Sequence, residues 1–395
     1  ERVSVWVDAL LGTGLNAAVR GLCRAFIERI NGARRPVLAV DIPSGLSADT
    51  GQILGESIRA AVTVTFGCAK IGHVLFPGVA ATGRLEVVDI GIPPHLFDQV
   101  SPRHHLLTAP TAAEGLPRRP ADSHKGRTGH LVVVAGSPGK SGAAALAAIS
   151  ALRVGAGLVT LAAAEGLNPV LETLTLEAMT APLPEAAPGV LGPGALEPLL
   201  ALAREKSCLA VGPGLGLAAA TGELVRGLVR RSPCPLVIDA DGLNHLAGRL
   251  DGLKGLPVEV VITPHPGEMG RLLGATAAEV QSDRIGCARG LAVSLGVHVV
   301  LKGARTVIAH PDGAVFVNPT GNAGMAAGGM GDVLTGTIAG LITQGVDPGR
   351  AARTAVYLHG AAADTLATAM GPVGFLAGDL MRALPTEIGR LQKET

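Results

Sequence analysis

Apolar residues along this chain fall into two rhythms, short unbroken runs and longer stretches in which they recur every three or four positions, and the two alternate. Val3–Val7 reads as a strand, Gly12-Thr13-Gly14 as a turn, Ala18–Ile30 as an amphipathic helix, and Val37–Val40 as a second strand ending at Asp41. This is a β-α-β unit. The alternation continues weakly through Ala61–Phe66 and Leu85–Val88 and stops near Ile92-Pro93-Pro94. Parallel strands are expected, with ligand groups gathered at their C-terminal ends.

Between Ser101 and Ser123 the periodicity fails, and Pro102, Pro110, Pro117 and Pro120 stand among small and charged residues. A linker over 101–123 is expected, separating a first domain, 1–100, from a second, 124–395. From His130 a stronger rhythm resumes, with strand Leu131–Val134, turn Gly136–Gly139, helix Ala143–Val154 and strand Leu158–Ala162. Further strands are expected at Cys208–Val211, Leu236–Ile238, Val258–Ile262, Val297–Leu301 and Thr306–Ala309. The second domain thus reads as a complete α/β sheet, and no fixed-period repeat relates it to the first.

Composition sharpens this picture. With 395 residues, two domains are the expectation, and with 2% aromatics the core must be built from Ala, Val, Leu and Ile joined by tight turns, for which 55 Gly and 27 Pro provide. The net charge of +1, from interspersed charges, leaves no footprint for nucleic acid. Apolar stretches such as Leu131–Ala164 are interrupted by Lys140, Arg153 and glycines, which argues against a membrane span, and no signal peptide is evident; a cytoplasmic protein is expected. The cysteines (Cys23, Cys68, Cys208, Cys234, Cys287) are odd in number and contain no C-x-x-C, so buried free thiols are expected. His104-His105 lack the spacing of a metal pair. The sequence starts at Glu1 without Met and enters a strand at once, so the opening of the first domain is expected to be missing.

Several turns carry candidate chemistry. Gly328-Gly329-Met330-Gly331-Asp332 precedes the apolar run Val333–Ile342, placing the glycines in a turn that opens a helix. Main-chain N–H groups can converge there on an anion, with Asp332 where phosphate and hydroxyl meet; the plain alternative is an Asp N-cap. Asn318-Pro319-Thr320-Gly321-Asn322 upstream is an irregular segment suited to close ligand approach. Gly136-Ser137-Pro138-Gly139-Lys140-Ser141 fails the P-loop spacing and remains a strand-to-helix turn, and Gly212-Pro213-Gly214-Leu215-Gly216 is similarly permissive. Asp239 and Asp241 end a strand; capping is expected of one, while a water-mediated Mg²⁺ contact stays open for the other. In Thr263-Pro264-His265-Pro266-Gly267-Glu268 two prolines freeze a loop and aim His265, unless the turn is merely rigid. Lys302-Gly303-Ala304-Arg305-Thr306 offers cationic and main-chain donors to a phosphate, or is simply a hairpin turn.

Taken in order, His124-Lys125-Gly126, Val211–Gly214, Thr263–Glu268, Val300–Gly303 and Asn318–Asn322 with Gly331-Asp332 resemble the NAD(P)H-hydrate dehydratase family. The resemblance implies a ribokinase-like three-layer α/β/α domain after a partial Rossmann-like one. It implies that Ala143, Gly214, His265 and Asp332 line the hydrate pocket, with Asp332 catalytic. Lys302, Gly303, Ala304, Arg305, Thr306 and Gly331 would bind ADP (or ATP) with Mg²⁺. The first hundred residues look like the companion epimerase domain, through Asp8, Gly12-Thr13-Gly14-Leu15, Val40–Leu46, Asp49-Thr50-Gly51 and Lys70. There Asp8 and Ser44 would hold K⁺, and Gly12, Thr13, Gly14, Leu15 and Asp41 would contact the NADH or NADPH hydrate. The family's Asn-Asn-Gly-Gly-Asp-type loop has no counterpart here, so epimerisation is expected to be impaired. A homo-oligomer is expected from the family only. Two rivals are a vitamin-precursor kinase of the same fold, acting on hydroxyethylthiazole or a pyrimidine alcohol, and a catalytically silent nucleotide-binding scaffold.

Overall fold

Apolar, largely β-branched runs in the first hundred residues pair side by side as β1 (Trp6–Asp8), β2 (Val37–Val40), β3 (Val62–Phe66) and β4 (Arg84–Val88), all parallel and in that order. The computed structural model describes residues 3–393, which divide into two units with the boundary between Leu106 and Leu107. The outermost bounds of the expected domains, Glu1 and Thr395, lie outside the described residues. In the first unit helix α1 (Gly21–Gly32) starts three residues later than its periodicity suggests, because the Val19 N–H is committed to the Leu54 carbonyl at 2.9 Å and Arg20 is extended. Val19, Ile27, Ile30, Val37 and Ile58 form its core, with Leu15 packed against it. The first strand is shorter and later than Val3–Val7: only Trp6, Val7 and Asp8 find partners on β2.

The second unit begins inside the expected linker. Leu107 and Ala112 are fully buried, the Leu107 N–H bonds the Val317 carbonyl, and Thr354 donates its hydroxyl to the Ala112 carbonyl. Pro110, which suggested a linker, lies in the first turn of a helix over Ala109–Ala113, where a missing N–H costs nothing.

Its strands are β5 (His130–Val134), β6 (Leu158–Ala164), β7 (Met179–Leu183), β8 (Cys208–Val211), β9 (Leu236–Ile238), β10 (Val260–Ile262), β11 (His298–Leu301), β12 (Val307–Ala309) and β13 (Val315–Val317). They lie in the order β13-β12-β11-β10-β9-β8-β5-β6-β7, parallel from β11 to β7, with β12 and β13 added antiparallel. The helices that matter here are α2 (Ser141–Arg153), α3 (Ala219–Arg231), α4 (Pro266–Leu273), α5 (Arg284–Leu295), α6 (Met330–Thr343), α7 (Pro348–Met370) and α8 (Ala377–Leu391). Helices α2, α6, α7 and α8 pack on one another and α6 lies against β5, β8 and β9, whereas α5 packs on β11 and β12. Buried on both faces, β5, β8 and β9 are continuous apolar runs, as helix-covered parallel strands must be. Small residues are spent within the chain: a Cβ on Gly336 of α6 would stand 2.1 Å from the Ala147 carbonyl oxygen of α2, so the two helices touch backbone to backbone. Among the described residues no helix is long and apolar enough to cross a membrane.

Candidate active site

Strand order dictates where ligand can enter. From β5 the chain winds outward to β6 and β7, then returns to β8 on the other side and runs through β9, β10 and β11 the opposite way. The turns after β5 and β8 therefore part at a topological switch point, where open α/β sheets leave a crevice. They stay joined at its floor: Gly136 N–H bonds the Pro213 carbonyl at 2.9 Å, and Ser137 donates its hydroxyl to Gly214 O at 2.7 Å. Gly214 has φ +63°, and a Cβ there would be 3.2 Å from that of Ala143, so two expected pocket residues are neighbours.

The turn after β9 completes this rim. Asp239 occupies the N-cap position of the short helix that follows, as expected of one of the two, but its side chain makes no capping bond. Asp241 instead accepts Lys140 Nζ at 3.0 Å and Gly216 N–H at 2.8 Å on the same oxygen, stitching three turns together. Burial raises its pKa, but the bonds from Lys140 and Gly216 outweigh it and the net shift is downward. Asp239, 1% exposed, accepts Lys302 Nζ at 2.5 Å and the Thr335 hydroxyl of α6 at 2.8 Å.

Asp332 stands in the first turn of α6, whose N-cap is Gly329 at φ +89°; the plain alternative of an Asp N-cap is thus set aside. Among the described residues its carboxylate accepts no hydrogen bond. Burial, then the charge of Asp239, raises its pKa to about 6; Lys302 opposes them, and Asp241 and Glu268 add to the rise. An unengaged carboxylate near neutrality at a helix start is a poised base.

His265 caps α4: its Nδ1 accepts the N–H groups of Gly267 at 3.0 Å and Glu268 at 3.4 Å, while Glu268 accepts the His265 N–H at 2.8 Å. An Nδ1 that accepts two bonds is unprotonated, so the half-exposed ring carries its proton on Nε2. Burial lowers its pKa. The loop 302–306 is the β11–β12 hairpin turn. Lys302 does not point outward from it; its ammonium is turned to Asp239, and to Glu268 at 3.6 Å. Gly303 and Ala304 are exposed, Arg305 donates to the Pro319 carbonyl at 2.5 Å, and Gly331 lies 3.5 Å from Lys302 Nζ measured from a Cβ built on it.

Two holding residues escaped the sequence reading. Arg284, at the start of α5 and 6% exposed, donates to the carbonyls of Ala304, Leu301 and Lys302 and so fixes the hairpin turn. Burial lowers its pKa to about 10, leaving it charged. Asp364 on α7 accepts Gly321 N–H and Asn322 Nδ2, both at 2.9 Å, and anchors the Asn318–Asn322 segment.

His359 on α7 donates from Nε2 to the Met330 carbonyl at 2.9 Å, and burial lowers its pKa to about 4 from an ordinary 6.5. Between these values the unfolded chain binds the proton and the folded one does not, so stability is full above the upper value and lost as pH falls toward the lower. We predict that the urea midpoint of the wild type falls more steeply between about pH 7 and about pH 4.5 than that of His359→Gln. Equal slopes would reject the assignment.

In the first unit Asp8, 1% exposed, accepts Ser44 N–H at 2.8 Å and the Ser44 hydroxyl at 2.7 Å, and that hydroxyl lies 3.3 Å from Leu11 O. Asp41, at φ +66°, accepts Lys70 Nζ at 2.5 Å and the Thr65 hydroxyl at 2.9 Å. Burial pushes its pKa up, but these bonds hold it below its ordinary value. Gly12 and Gly14 have ordinary φ and open space where a Cβ would stand, and Thr13 beside them is exposed.

A family model described as NAD(P)H-hydrate dehydratase matches residues 131–386, and one described as YjeF-related protein N-terminus matches residues 1–72. The bifunctional NAD(P)H-hydrate repair enzyme of Moorella thermoacetica is 51% identical over 388 residues, covering 98% of this chain and 73% of that protein. The chain belongs to the bifunctional NAD(P)H-hydrate repair enzyme family. Among solved structures, the ADP/ATP-dependent NAD(P)H-hydrate dehydratase from Bacillus subtilis, co-crystallised with ATP and Mg²⁺, matches with TM-score 0.62 and 33% identity over 73% of this chain and 98% of its own. A ribokinase-like superfamily protein from Enterococcus faecalis gives TM-score 0.63 at 29% identity over 73% and 96%. In this NAD(P)H-hydrate repair enzyme family member, a parallel Rossmann-like sheet is followed by a ribokinase-like α/β/α unit, as the motifs imply. The crevice with Asp332 falls in the dehydratase match; Asp8, Asp41, Ser44 and Lys70 fall in the N-terminal match.

Proposed function

We propose that this chain returns (6S)-NAD(P)H hydrate to NAD(P)H while converting ADP to AMP and phosphate, acting as a carbon–oxygen lyase. The observation that carries this is Asp332, a partly buried carboxylate without a hydrogen-bond donor, raised to about 6 and set at the N-terminus of α6 beside the switch-point crevice. The substrate's hydroxyl sits on the carbon next to the ring nitrogen, and hydroxide is a poor leaving group. Asp332 takes the hydroxyl proton as that oxygen attacks the β-phosphorus of ADP, and AMP departs. The C–O bond then breaks as the ring nitrogen's lone pair forms an iminium ion and phosphate leaves. Loss of the neighbouring C5 proton restores the dihydropyridine. The main-chain N–H groups of the first turn of α6 face the charge that develops on the phosphoryl oxygens.

The hydrate is held between Ala143, Gly214 and the Nε2–H of His265, and the nucleotide against Gly331 and the 303–306 turn, of which Gly303 and Ala304 are exposed. Asp239 and Glu268 are already engaged with Lys302, and among the described residues no three His, Cys, Asp or Glu side chains group as metal ligands. Mg²⁺ would then enter with the nucleotide and would supply charge neutralisation at its phosphates. In the first unit, Gly12–Leu15 and Asp41 contact the hydrate for epimerisation, and the oxygens of Asp8, Ser44 and Leu11 suit a hard cation such as K⁺. Of the free thiols, Cys208 and Cys234 are buried as expected, whereas Cys23 and Cys287 are half-buried and Cys68 is exposed; a cytoplasmic location is part of the same reading.

The test is incubation with NADH hydrate and ADP. Recovery of NADH absorbance with equimolar AMP and phosphate is expected; a stable phosphoester product would instead reveal a kinase.

A further inference from the structure

The ammonium of Lys302 is committed to carboxylates of its own chain. It leaves the end of β11 and turns under the start of α6, where Asp239 from β9 holds it at 2.5 Å and Glu268 from α4 lies at 3.6 Å. Asp239 uses its other oxygen on the Thr335 hydroxyl, one turn along α6 from Asp332, so the pair is fastened to the helix that carries the base. Gly331 lies directly above: a Cβ there would be 3.5 Å from Lys302 Nζ and 3.7 Å from Asp239 Oδ2.

We propose that Lys302 is a positioning residue for the base at 332, its charge serving the start of α6 from below and not the nucleotide's phosphates from within the crevice. This rests on the reading of Asp332 as the base. The charged groups around that carboxylate are Asp239 and Lys302 from the strand ends, Asp241 with its partner Lys140 from the neighbouring turns, and Glu268 from α4. His359, which bonds Met330 from α7, is held neutral by burial. Three carboxylates therefore face Asp332 and one buried ammonium opposes them, since Lys140 is half-exposed and spent on Asp241. Burial lowers the pKa of Lys302, but Asp239 and Glu268 outweigh it, the net shift is upward and the ammonium stays charged. Without that charge, Asp332 would hold its proton to higher pH and be a weaker acceptor of another near neutrality.

Two single variants of the full chain test this, each read by calorimetric ADP affinity and by the acidic limb of the kcat/KM profile for NADH hydrate. In Lys302→Gln, whose amide can still donate to Asp239, the limb moves up by about one pH unit while ADP affinity stays within about twofold. In Asp239→Asn, which keeps Lys302 and the Thr335 contact, the limb moves down by about as much. An ADP affinity lowered tenfold or more in Lys302→Gln with a stationary limb would mean that the ammonium is a phosphate ligand, and the inference falls. If Lys302→Gln does not fold, Lys302→Met is read in its place, and an unmoved limb in it overturns the inference. Asp332→Asn separates the two levels: turnover surviving in it sinks the base itself, whereas turnover lost in it beside unmoved limbs in the other two sinks only the role of Lys302.

Discussion

Asp332→Asn lowers kcat for NADH hydrate dehydration by about a thousandfold, within the span that general-base removal produces. The substitution is nearly isosteric and retains polarity at the helix start, yet an amide accepts no proton at neutral pH. Because no hydrogen bond in the described structure ends on that carboxylate, nothing structural is lost, and relief from burying a charge among Asp239, Asp241 and Glu268 leaves the protein as stable as wild type or more so. ADP affinity changes little, since the N–H groups that meet phosphate belong to the main chain. The decisive combination is single-turnover kinetics, calorimetry with ADP and a thermal melt. Wild-type turnover, or a collapse of ADP binding together with stability, would remove Asp332 from the role of base.

Gly336→Ala, benign in most helices, destabilises this protein by about 3 kcal/mol. In an exposed helix interior the same change stabilises by about 1 kcal/mol through backbone entropy. Here a methyl group would fall 2.1 Å from the Ala147 carbonyl oxygen, and main chain cannot swing aside as a side-chain end does. The helices α2 and α6 must part, and α6 carries Asp332 one turn before Gly336. Urea unfolding with the dehydration assay checks both consequences; an unchanged or higher midpoint would show that the contact yields.

What could be read from the residues followed from how each part is held. Cys208–Val211 and Leu236–Ile238 are found at the residue level because strands covered on both faces must be unbroken apolar runs. Met179–Leu183 is not, since β7 pairs on one side only, contains Pro182 and exposes part of its length, which dilutes the pattern. The crevice turns announce themselves through glycines. Arg284 and Asp364 do not, because Arg284 grips main-chain carbonyls and Asp364 a main-chain amide, groups that any residue carries, together with one distant asparagine. Nor does a lysine after a strand reveal whether it faces out or in; Lys302 turns inward because Asp239 and Glu268, distant in sequence, are waiting there.

The grip of Arg284 has its own corollary. A guanidinium that holds carbonyls is indifferent to the side chains they belong to, so the path of the 301–304 segment is insured independently of its composition. Position 304, exposed and carrying only a methyl group, is accordingly open to substitution without disturbing the path of this segment.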